Sequence, residues 1–62
     1  MSSDLAELST VATQIDELVE RVTAVAERHR GTEHDDAAVR LFEVERSLFS
    51  ASRNLQSALR AF

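Results

Sequence analysis

The sequence predicts an all-α protein: an antiparallel two-helix hairpin that dimerises into a four-helix bundle. Three observations carry this. Apolar residues recur at helical spacing over two long segments. A single glycine, Gly31, stands near the midpoint of the 62 residues. No proline interrupts either segment. An all-β fold is disfavoured by the same composition, because β-turns draw on Gly, Pro and Asn, and only Gly31 and Asn54 could serve.

The first helix is expected over about Asp4 to Arg30. Asp4 and Glu7 have the spacing of a capping box at its start, and Arg28, His29 and Arg30 complement its C-terminal dipole. Leu8, Ile15 and Val22 recur every seven residues, with Val11, Leu18 and Val25 three positions later. Leu5, Ala12, Val19 and Ala26 fill the adjacent row. Together they form a stripe wider than a two-stranded coiled-coil seam.

The turn is expected at about residues 31–34. The second helix then runs from about Glu33 or His34 to Ala61, with Thr32 and Asp35, or Asp35 itself, as its cap. Its stripe centres on Leu41, Leu48, Leu55 and Phe62, with Val44, Ala51 and Ala58 on one side and Phe42 and Phe49 on the other. Folding at the turn sets Leu8 against Leu59, Val11 against Leu55, Leu18 against Leu48 and Val25 against Leu41. It also lays the five acids and no bases of residues 1–20 beside Arg46, Arg53 and Arg60. Glu45 and Ser52 fall between the leucine and phenylalanine rows, and Glu45 is expected at the core edge or paired with an arginine such as Arg21.

Two helices bury only the strip between them, and these stripes are too wide for that. The expected remedy is a homodimer. Its interface candidates are Ile15, Leu18 and Val22 on the first helix, and Leu41, Leu48, Leu55, Phe42 and Phe49 on the second. The small residues Ala51 and Ala58 would let helices approach closely. The competing expectation is an adaptor or regulatory subunit that docks the same stripe on a larger protein.

Other classes find little support in the residues. The formal net charge of −4 and a helix-1 half rich in acids disfavour nucleic acid, despite the heptad of Arg46, Arg53 and Arg60. No cysteine is present, so neither a disulfide scaffold nor a thiolate zinc site is available. Glu27, His29, Glu33, His34, Asp35 and Asp36 crowd the turn, but no Glu-x-x-His or His-x-x-x-His pair places two ligands on one helical face. No metal or other cofactor is therefore expected. With one glycine, phosphate loops and nucleophile elbows are also absent, and no enzymatic activity is expected. The segment Gln14–Leu18 resembles a few residues of the first helix of helical chorismate mutases, but the chain has no lysine for substrate binding and is too short for that three-helix enzyme. The polar, acidic N-terminus does not read as a signal peptide, and no apolar run exceeds three residues, so a cytoplasmic protein without membrane contact is expected.

Overall fold

A computed structural model describes residues 3–62 and contains two α-helices, α1 (Ser3–His29) and α2 (Asp35–Arg60). They fold back on each other as a hairpin, a rod whose Cα extents are 51 × 14 × 10 Å. Its radius of gyration is 14.6 Å, against about 10–11 Å for a compact domain of this length. α1 begins one residue before the expected start, so Asp4 lies within the first turn, where its charge suits the positive end of the dipole. α2 begins at Asp35 and so gives a slightly longer turn than expected.

The turn is built from side chains bonding to backbone. Gly31 adopts φ +75, the left-handed conformation that terminates a helix and that L side chains avoid. The Thr32 hydroxyl donates to the His29 carbonyl at 2.7 Å and accepts the His34 N–H at 3.0 Å. Asp35 does not cap α2. Its carboxylate turns back and accepts the Gly31 N–H at 2.6 Å, while His34 occupies the N-cap position with no side-chain cap bond. The expected cap therefore braces the turn instead. A Cβ at Gly31 would meet nothing within 4 Å, so the cost of Gly31→Ala comes from the dihedral alone. We expect about 1 kcal/mol of lost stability, measurable by chemical denaturation. An unchanged midpoint would show that the turn tolerates another conformation.

The seam between the helices is rotated from the one the largest hydrophobes suggest. Its buried residues are Ala12, Val19 and Ala26 on α1 and Ala38 on α2. Ala26 is 0% exposed and Ala38 1%. Small side chains are what two helix backbones need at their closest approach. The row Val11, Leu18 and Val25 is displaced to the flank of the seam, and Leu18 is 42% exposed. On α2 the seam follows Ala38, Glu45, Ser52 and Leu59, so the leucine row lies beside the centre and is only half-buried. Phe62, expected at the end of that row, lies past the end of α2 and is 65% exposed.

Two polar contacts cross the seam. The Thr23 hydroxyl donates to the Glu45 carboxylate, and the Ser52 hydroxyl donates to Asp16 at 3.3 Å. Each pair is one heptad from the other on both helices, so both report the same register. That register lies within two residues of the expected one. The expected Arg21 partner for Glu45 is replaced by Thr23, and Arg21 lies on a different flank.

Candidate functional site

The two long flanks of the hairpin differ in chemistry. At 100° per residue, Val11, Leu18 and Val25 share one flank of α1, and Val44, Ala51 and Leu55 share one flank of α2. Because the helices are antiparallel, these two flanks fall on the same side of the rod. A shallow open groove lies on this side: Leu18, Arg21, Val22 and Val25 of α1 line it together with Leu41 of α2, with a volume of about 280 Å³. Leu18 and Val44 on this side are 42% and 43% exposed. Its surface is apolar apart from the arginine.

The opposite side is mixed. Phe42 and Phe49 lie there, with Arg46 and Arg53 beside them on α2 and Asp16 and Glu27 across the seam on α1. Phe42 is half-buried and carries the Arg30 guanidinium 5.2 Å above its ring. Arg30 is in turn held by Glu27 at 2.8 Å. A cation on the face of an aromatic ring contributes about 0.5–1 kcal/mol at exposed sites. Phe49 is 48% exposed. Arg30 and Glu27 form an ion pair, and the His34 ring lies 3.8 Å from the Glu33 carboxylate; both contacts are local in sequence.

The ten interface candidates are therefore not brought into one patch. Leu18, Val22, Leu41, Leu48, Leu55, Ala51 and Ala58 belong to the grooved side or its border, and Ile15 lies half-buried near the seam. Phe42 and Phe49 sit across the seam from them. Val25, Val44 and Arg21 complete the grooved side and were not among the candidates. The signal that finds them is the heptad row Val11–Leu18–Val25 set against Val44–Ala51–Ala58 across the turn. For Phe49→Ala we expect a loss of about 1 kcal/mol or less from the hairpin, because half of the ring is already in water. A loss near 3 kcal/mol in thermal denaturation would mean that something else covers that ring.

The turn residues form no candidate metal centre: no cluster of three or more His, Cys, Asp or Glu poised for a metal occurs among the described residues. His29 is half-buried at the end of α1, and its ring meets that of His34 edge-on at 5.4 Å. Among the described residues, no helix is long and apolar enough to cross a membrane. No family model, curated protein or solved structure matches the chain. The exposed apolar side of the hairpin is the feature on which a function can be argued.

Proposed function

We propose that this chain is a small non-enzymatic interaction protein that works as a homodimer, two hairpins packing into a four-helix bundle. The observation that carries the reading is the absence of any large buried side chain among the described residues. The buried residues are three alanines and one valine, while Leu18, Val44 and Phe49 are each more than two-fifths exposed. A core of that size does not offset the conformational entropy of ordering a chain this long.

Surface area supports the same reading. The hairpin exposes 4699 Å², whereas a compact protein of 6.9 kDa exposes about 4,000 Å². The surplus of about 700 Å² is close to one partner's share of a standard protein interface, about 800 Å².

Sedimentation equilibrium of the purified chain at micromolar concentration tests the proposal. A helical species of twice the chain mass, with a melting temperature that rises with concentration, is the expected result. A stable folded monomer would overturn it. A chain that is poorly helical alone and folds only when a larger protein is added would instead establish the adaptor reading.

A further inference from the structure

We infer that the second copy lies on the grooved side, the side of Leu18 and Val44, with its turn over the open end of the first hairpin. This deepens the homodimer reading and rests on it. The choice of side follows from what each would bury. Interface centres are depleted of charge, and the side with Phe42 and Phe49 would bring Arg46, Arg53, Asp16 and Glu27 with it. The grooved side brings aliphatic residues along its middle, with charge at its edge, Arg21, and at its open end, Asp4 in the first turn of α1.

The borders decide the direction. One heptad row along the edge of α1 reads Glu7, Gln14, Arg21 and Arg28, running from acidic at the open end to basic at the turn end. The corresponding edge of α2 carries Arg40 near the turn, then Ser47 and Asn54. A two-fold axis lying in the interface can join these faces in two ways. With both turns at the same end, α1 lies over the second copy's α2. The register that sets residue 23 beside 45 and 16 beside 52 then places Arg28 over the second copy's Arg40, twice per dimer. With the turns at opposite ends, α1 lies over the second α1. With the axis crossing the rod near its middle, between Glu17 and Leu18, Glu7 then faces Arg28, and Gln14 faces Arg21, again twice. Like charges facing one another disfavour the first arrangement, and the second replaces them with opposite charges. Exposed pairs of this kind are weak individually, so they select direction rather than supply affinity.

Cysteine crosslinking tests this without disturbing the charged rows, since the chain has no cysteine of its own. Leu18→Cys and Ala51→Cys both sit near mid-rod on the grooved side. With turns at opposite ends, each variant oxidises to a disulfide-linked dimer with itself. With turns at the same end, each pairs instead with the other, and an equimolar mixture yields the mixed dimer. Preferential mixed dimer overturns the inferred direction but leaves the homodimer standing. A sedimenting dimer in which neither position crosslinks, while Phe49→Cys does, overturns the choice of side. A folded monomer removes the reading beneath both. As a second arm, Glu7→Arg should raise the dimer Kd several-fold, and Glu7→Arg with Arg28→Glu should restore it, with helical content checked by circular dichroism. Failure of the double exchange to restore affinity would also overturn the inferred direction.

Discussion

Replacing Ala26 with leucine should lower stability by about 2–3 kcal/mol, dropping the melting temperature by roughly 10 °C or more for a chain of this size. Ala26 has no accessible surface, and the buried Ala38 stands at the same turn-proximal end of the other helix. Three additional carbons cannot be placed there without forcing the helices apart. Parting them would strain the turn bonds from Thr32 and Asp35 and the contacts Thr23–Glu45 and Asp16–Ser52 farther along the rod. The same substitution at Ala24, which is exposed on the outer surface of α1 away from both seam and groove, leaves the hairpin seam untouched. Thermal denaturation followed by circular dichroism distinguishes the two positions. A leucine at residue 26 tolerated as well as one at residue 24 would show that the alanines do not mark the closest approach.

The second large effect concerns association. Leu18→Asp should raise the dimer Kd by at least a hundredfold, equivalent to about 3 kcal/mol. The substitution removes an aliphatic side chain from the proposed interface and puts a carboxylate where water is excluded, once in each copy. The hairpin itself loses little by it, because Leu18 is already 42% exposed. Val39→Asp is the matching control. Val39 is 54% exposed and lies on the outer surface of α2, away from the groove. Its replacement should leave Kd within a factor of about two, as is usual for surface changes away from such contacts. Sedimentation of the two variants side by side gives the comparison, and equal effects would argue against the grooved side as the contact.

The helices and their antiparallel arrangement were legible because each depends on local chemistry. Period 3.6 was carried by many residues, and Gly31 was the one glycine, placed near the midpoint where a left-handed turn is needed. The register was nearly legible, since apolar rows on both sides of the turn had to meet. The rotation of the seam was not. Val11–Leu18–Val25 and Ala12–Val19–Ala26 flank the row Leu8–Ile15–Val22 on opposite sides, and side-chain size favours the first as part of the core. Backbone proximity selects the second, and proximity is a property of two helices that neither displays alone. Glu45 and Ser52 were ambiguous for the same reason. Their partners, Thr23 and Asp16, lie 22 and 36 residues away in sequence, beyond the reach of any local periodicity. The sequence around the turn points to Asp35 as a cap of α2, yet its carboxylate accepts from the left-handed Gly31 and leaves the helix cap to His34.

The interface candidates show the same division. Leucines and phenylalanines of α2 were both recognisable as surplus hydrophobic surface. Their separation onto opposite sides of the rod became visible only once the buried row of α1 was located. Sequence periodicity assigns an angle around one helix axis; the origin of that angle is set by the other helix.

The left-handed residue at the turn also governs the size of the particle. Continued as one uninterrupted helix, residues 3–60 would reach about 87 Å at 1.5 Å per residue, against the 51 Å of the folded rod. In such an extended form the polar groups Thr23, Glu45, Asp16 and Ser52 could find their partners only on another molecule. The positive φ at Gly31 therefore separates a chain that pairs these polar groups within itself from one that would exchange helices with its neighbours.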